Sequence, residues 1–318
     1  MTIQRIIEFV ATERLARCLV PARLRNRAFR IFINQLTNEA KTDSNPSEIF
    51  LTPAMRCDRG STLKVASVVS GKDLEMLLWC LKSLFLFSAC LWDLWIIDGG
   101  LNNEDVKVLE EHFPGAHICL EPNLTLSLRR CLAGYPQISQ LRLHRKYAPA
   151  KKLIDAPWLL RNHKFLLVDP DVLFFRYPIE LIDRLRRPET TRFAFNMDKD
   201  KGRGINSGLA IVPSLSVCFT HIEEALDAMP PTQKQQWWIE QDVYARIARN
   251  CFDELSSAYA VEPVEVGDYN ALVSCHFIHT CRHHFYQHGI KQLRSAAFLE
   301  KLRNSTAQIW TSGSQSAD

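Results

Sequence analysis

The chain has 318 residues, 47% of them hydrophobic and 23% charged, the make-up of a soluble globular protein with room for a sizeable core. The net charge is +4, and no Lys/Arg-rich run interleaved with aromatics marks a nucleic-acid groove, so no nucleic-acid partner is expected. The ten cysteines follow no framework spacing and sit mostly in apolar runs, as Cys80, Cys90, Cys119 and Cys218 do. That pattern excludes a disulfide scaffold and reads as the reduced thiols of an intracellular protein.

Residues 1–30 carry seven arginines against two glutamates, so the basic excess is N-terminal. Apolar residues recur there at helical spacing (Ile6, Val10, Leu15, Leu19, then Ile31, Phe32, Leu36), broken at Pro21. The spacing predicts a basic helical extension over 1–45. Two uses fit it: docking of residues 1–40 on anionic lipid, or a hairpin packed on the catalytic domain or a partner subunit. The charges alternate with apolar residues, so no secretory signal is read, and the expected location is cytoplasmic, with peripheral membrane contact under the first use. Residues 40–60 read as a linker.

Alternation of strand and helix then begins. Leu63 to Val69 predicts a strand ending at Ser70-Gly71, and Asp73 to Phe87 a helix. A second strand covers Leu94 to Ile97 and ends at Asp98-Gly99-Gly100. A helix over Asn103 to His112 and a strand over Ala116 to Leu120 follow. Glu75, Lys82 and Asp93 interrupt the most apolar stretch, Leu74 to Ile97, which therefore reads as a buried helix running into a buried strand and not as a membrane span. Leu159 to Val168 brings the chain back to the strand that ends at Asp169-Pro170-Asp171, and Ile179 to Arg186 is a short helix behind Pro178. Strands are expected at 193–195 and 209–212, with a polar, Gly-containing loop from Asn196 to Gly208 able to close over a ligand. Val217 to Met229 and Trp237 to Asn250 read as helices and 273–278 as a last strand. The tail, 293–318, is read as partly disordered. This order implies α/β architecture with a mostly parallel, doubly wound sheet.

The apolar run Phe165-Leu166-Leu167-Val168 ends in Asp169-Pro170-Asp171. Ligands of open α/β sheets bind at the carboxyl ends of strands, so both acids are expected at the lip of a crevice. Two carboxylates there suit a hard divalent cation that bridges to phosphate oxygens. An ordinary Asp-Pro turn is the plainer reading.

The succession of motifs resembles the nucleotide-sugar-dependent glycosyltransferases of the type A fold, from about Leu63 to Gln292. The pieces are Ser70-Gly71, Asp98-Gly99-Gly100, Lys151-Lys152, Asp169-Pro170-Asp171, Phe174-Phe175-Arg176-Tyr177-Pro178, Asn206-Ser207-Gly208, Glu240-Gln241-Asp242 and His276-Phe277. The resemblance implies a Rossmann-like catalytic domain over 60–292. It also implies transfer of a sugar, a hexose being favoured, from a nucleoside diphosphate to an acceptor hydroxyl. The cofactor would be Mn²⁺ or Mg²⁺, the favoured donor a UDP-sugar, and the acceptor a glycan or lipid-linked sugar.

By that resemblance Asp169, Asp171 and His276 hold the metal, Ser70-Gly71 seats the base, and Asp98, at the end of the second strand, hydrogen-bonds the base or ribose. Asn206, Ser207 and Gly208 meet the sugar, and Lys151 or, in preference, Lys152 meets the sugar nucleotide. Arg145 and Lys146 are weaker alternatives. Arg282, with its planar fork, and His279 would face the diphosphate. Acids at i and i+2 of a helix do not share a face, so only one of Glu240 and Asp242 is expected to point into the crevice, and the resemblance selects Asp242 as base on the acceptor. Plainer readings stand beside these: Asp98 as a helix cap, the lysines as a solvated face, His276 as a core histidine. The run from Cys275 to His284 is rich in zinc-type donors but fits no standard zinc spacing. A metal-dependent nucleotidyltransferase and a non-catalytic sugar-nucleotide-binding module are the rival readings.

Overall fold

The computed structural model describes residues 22–144, 149–189, 191–198, 204–214, 218–234, 236, 238–249, 252–262 and 269–309. Its centre is a seven-stranded sheet. β1 (Lys64–Val69) pairs in parallel with β2 (Asp93–Asp98) on one side and β4 (Phe165–Val168) on the other, and β2 pairs in parallel with β3 (His117–Cys119). β7 (Gly204–Val212) runs antiparallel to both β4 and β6 (Phe193–Asp198), and β8 (Phe252–Glu254) closes the edge in parallel with β6. The order is β3-β2-β1-β4-β7-β6-β8. Helices cover the faces, in agreement with the expected Rossmann-like α/β architecture.

The chain leaves this sheet within three residues. β4 ends at Val168, and β5 (Val172–Phe174) already belongs to a second sheet of order β5-β10-β9, with β10 at Ser274–His276 and β9 at Tyr259–Val261. The Asp-Pro-Asp turn is therefore the seam between the sheets. It is fixed from both sides: Asp169 N–H donates to Gly208 O at 2.7 Å, and Phe277 N–H donates to Asp171 O at 2.9 Å. The two acids are held by backbone pairing on strands that come from sequence positions far apart.

Helix Leu74–Ser88 is apolar all round because it is buried all round, as helices inside large cores are. Its charges tie down the chain before β1. Glu75 pairs with Lys41 at 3.3 Å, and Lys82 Nζ donates to Pro53 O. Trp79 Nε1 donates to Pro46 O and its ring stacks on Phe298, centroids 5.5 Å apart. The expected linker over 40–60 is thus packed structure. Helix Ala22–Ser44 runs into it, Pro46–Leu51 is a 3-10 helix, and Ile49 is fully buried.

Residues 1–21 lie outside the described residues, and with them the expected first basic helix and the break at Pro21. In Ala22–Ser44, Ile33, Leu36 and Ala40 form a buried stripe, and the helix packs on Arg282–His284 and Phe285–Ile290. This part of the extension therefore packs on the segment that follows β10. Past residue 292 the chain is helical over Phe298–Ile309, anchored by the buried Phe298 and Leu302, and 310–318 lie outside the described residues. Among the described residues no helix is long and apolar enough to cross a membrane.

The expected loop from Asn196 to Gly208 is corrected. Residues 196–198 and 204–208 are strand, and only 199–203 lie outside the described residues. Pairing between β6 and β7 overrides the turn preference of Gly, Asn and Ser.

Lys82 gives one pH-dependent expectation. Burial pushes its ammonium from the ordinary 10.5 down to about 7. The unfolded chain therefore binds a proton there that the folded chain releases, so stability rises with pH across the window from about 7 to 10.5. Denaturation midpoints of wild type relative to Lys82→Met should increase from neutral pH to about pH 9.5. A difference that stays constant with pH would remove Lys82 as the cause.

Candidate active site

The site is built from the turn between β4 and β5, the end of β10, the middle of β7 and two helical segments. Asp169, Asp171 and His276 each offer an atom, all within 4.8 Å of one another. His276 Nε2 lies 3.1 Å from Asp171 Oδ1 and 3.8 Å from Asp169 Oδ2.

The histidine's tautomer follows from the backbone. Gly208 N–H donates to Asn206 Oδ1 at 2.8 Å, which fixes that amide with its oxygen towards the cluster. His276 Nδ1 lies 2.9 Å from the same oxygen, so Nδ1 carries the hydrogen and donates. In a neutral ring Nε2 then presents its lone pair to two carboxylates. Three electron-rich groups, two of them carboxylates, thus face one point, as the ligands of a cation do. A ligating histidine whose other nitrogen donates to a fixed oxygen is also how metal-bound imidazoles are commonly oriented. The donor set of two carboxylates and one imidazole thus fits a divalent cation. Gly208 shapes this cradle, since a Cβ there would overlap the His276 ring.

Two cations flank the acids from outside. Lys152 Nζ donates to Asp169 Oδ2 at 2.9 Å and lies 3.5 Å from Glu240. Arg282 Nε donates to Asp171 Oδ2 at 2.9 Å and its Nη1 to Asp73 Oδ1 at 2.9 Å. Burial alone would raise the Asp171 carboxyl, but Arg282 and His276 beside it hold it well below the usual carboxylate range. Burial would lower the Lys152 ammonium, but Asp169 and Glu240 push it above its ordinary value. Both groups are therefore charged at neutral pH.

The other expected site residues divide. Ser207 Oγ is 3.4 Å from both Lys152 Nζ and Glu240 Oε1, so Ser207, Lys152 and Glu240 join the cluster. Ser70 Oγ donates to Asp73 Oδ2, which links the end of β1 and Gly71 to Arg282. Asp98 does not reach the acids. Its carboxylate accepts from the backbone of Gly100, Leu101 and Glu121, so it closes a turn and starts helix Glu121–Cys131. Lys151 donates to Asp98 O and to Glu121, in a buried network that includes Arg142 and Asp155. The backbone of His279 lies in the 3-10 turn His279–Cys281, and its side chain, with Arg145, Lys146 and Trp237, lies outside the described residues.

Asp73 was not expected at all. An acid opening a helix reads as a first-turn acid, and only the fold brings Arg282 onto it. Of the second acidic pair, helix Ile239–Ala248 turns Glu240 inwards and leaves Asp242 bonded to Gln233 Nε2 at 2.9 Å. It is thus Glu240, and not the preferred Asp242, that lies beside Lys152. Glu240→Gln should cut turnover more than Asp242→Asn, and kcat for the two variants decides the point. The opposite order would return the role to Asp242.

No protein-family model matches the sequence, and no curated protein matches it. Several solved structures resemble it. The galactosyltransferase LgtC, solved with donor and acceptor sugar analogs, is 12% identical with a TM-score of 0.45, over 76% of this chain and 96% of that one. Mouse xyloside xylosyltransferase 1 is 10% identical with a TM-score of 0.45, over 67% and 97%. The glycosyltransferase GlyE of Streptococcus pneumoniae is 14% identical with a TM-score of 0.45, over 68% and 54%. Overlaps of this size at this identity carry no argument about substrate or chemistry, which rest on the residues themselves.

Proposed function

We propose that the chain is a glycosyltransferase that moves a sugar from a nucleoside-diphosphate sugar to an acceptor hydroxyl with the help of a divalent cation. The observation that carries this reading is the convergence of Asp169, Asp171 and His276 at the carboxyl end of β4, with their ligand atoms within 4.8 Å. Bound there, Mn²⁺ or Mg²⁺ would neutralise the diphosphate as it leaves.

The chain's own residues prepare that step. Asn206 holds the proton on His276 Nδ1 and so keeps Nε2 free to ligate. Arg282 keeps Asp171 ionised and aimed, and is itself oriented by Asp73. Lys152 holds Asp169 and adds positive charge beside the place the diphosphate would occupy, while Glu240 balances that lysine. The backbone of Ser70-Gly71, at the open end of β1, would take the nucleotide base. We assign a UDP-sugar as donor and a hydroxyl of a glycan or lipid-linked sugar as acceptor.

Incubation with a panel of nucleotide sugars, with Mn²⁺ or Mg²⁺, tests the reading through release of the nucleoside diphosphate. Release from one donor, absent in excess EDTA, is expected. Full activity in EDTA would overturn the metal's part, and no release from any donor would overturn transfer.

A further inference from the structure

Beyond this site a second cluster of metal-type donors lies behind β10. Glu262, at the end of β9, Cys281 and His284 bring a carboxylate oxygen, a thiol and an imidazole nitrogen within 4.8 Å of one another. Glu262 and Cys281 are buried, and His284 is half-buried, leaving a path for an ion. His284 Nδ1 is 3.4 Å from Glu262 Oε2, and Tyr269 donates its hydroxyl to Glu262 Oε1, orienting the carboxylate from behind. We propose that Glu262, Cys281 and His284 form a structural zinc site separate from the Asp169–Asp171–His276 cluster.

The donor chemistry separates the two places. Two carboxylates and an imidazole suit Mg²⁺ or Mn²⁺, whereas thiolate, imidazole and carboxylate suit Zn²⁺. On binding, the Cys281 thiol gives its proton to solvent and the sulfur lone pair forms the Zn–S bond. Three protein ligands leave the fourth tetrahedral position to water. Sequence spacing does not reveal such a site, because Glu262 comes from another strand.

Its place in the fold gives it a purpose. Glu262 N–H donates to His276 O at 2.9 Å, so the site backs onto the strand that carries His276. Cys281 and His284 bracket Arg282, which holds both Asp171 and Asp73. An ion joining Glu262 to these two residues would fasten the turn that positions Arg282 to the end of β9.

The full-length protein, stripped with EDTA and returned to chelator-free buffer, is titrated with Co²⁺ and then Zn²⁺. A stoichiometric thiolate-to-cobalt charge-transfer band displaced by Zn²⁺ is expected. Cys281→Ser should lose the band, and His284→Ala and Glu262→Gln should weaken cobalt affinity by about tenfold or more. Asp169→Asn should keep the band, which separates this site from the first whatever the fate of the transfer activity. Circular dichroism of each variant without metal confirms that it is folded. No charge-transfer band in wild type, or the same band in Cys281→Ser, would overturn the proposal.

Discussion

Asp169→Asn is expected to lower kcat/KM for sugar transfer by about 10³-fold or more, about 4 kcal/mol of transition-state stabilisation. The substitution keeps shape and removes only the charge that faces the cation. Its cost to the fold should be small. Asp169 lies at the lip of the seam, and Lys152 keeps Glu240 at 3.5 Å as a counter-charge. Asp171→Asn is a less selective probe. Asp171 is 4% exposed and takes both the guanidinium of the half-buried Arg282 and the His276 ring, so its neutralisation disturbs two partners at once. Solvent at the half-buried Arg282 keeps the loss below the ~3–5 kcal/mol of a fully buried pair, but a carboxylate as buried as Asp171 is still costly to neutralise. Urea midpoints measured beside kcat/KM should therefore show Asp169→Asn close to wild type in stability and Asp171→Asn well below it. An Asp169→Asn enzyme within tenfold of wild type would mean that this carboxylate does not serve the chemistry.

The second large effect comes from one methyl group. A Cβ at position 208 would overlap the His276 ring, so Gly208→Ala must displace the ring or the strand. Moving the ring breaks its bond to Asn206 and turns Nε2 away from Asp171. Moving the strand disturbs the Asp169 N–H bond to Gly208 O. Either way metal-supported turnover should fall by about 10²-fold or more, with a loss of about 1–3 kcal/mol in stability from overpacking. His276→Ala removes the obstacle. The double variant Gly208→Ala, His276→Ala should then be more stable than the sum of the single effects predicts, a coupling that a double-mutant cycle reads directly. Strict additivity would show that the two residues do not contend for the same space.

Much of the site's scaffold is legible in the sequence, for reasons that can be named. Helix Asn103–His112 has the bounds expected of it, and the structure shows the local device that starts it, a capping box between Asn102 and Asp105. Helix Ile179–Arg186 follows Pro178 as expected. The Asp-x-Asp turn stands out because a fully apolar strand ends there in two acids one residue apart. What sequence hides is set by tertiary contact. Residues 204–208 read as a loop because Gly, Asn and Ser favour turns, yet β6 and β4 supply the ladder that makes them strand. The stretch 46–51 has no periodicity of its own and is held by Trp79 and Glu75. Local rules state that Glu240 and Asp242 cannot both point inwards, but only the packing of their helix against β7 selects Glu240. Asp73 and Arg282 meet across 209 positions of sequence, and no local pattern marks either as the other's partner.

The central claim, that Asp169, Asp171 and His276 bind a cation that in turn binds a nucleoside diphosphate, is tested most directly by thermal unfolding with UDP, Mn²⁺, both or neither. A ligand that binds only the native state raises the melting temperature by mass action. UDP with Mn²⁺ together should raise it in wild type, UDP in EDTA should leave it unchanged, and His276→Ala should lose most of the joint shift while unfolding cooperatively. An equal shift by UDP in EDTA, or the same joint shift in wild type and His276→Ala, would contradict the account.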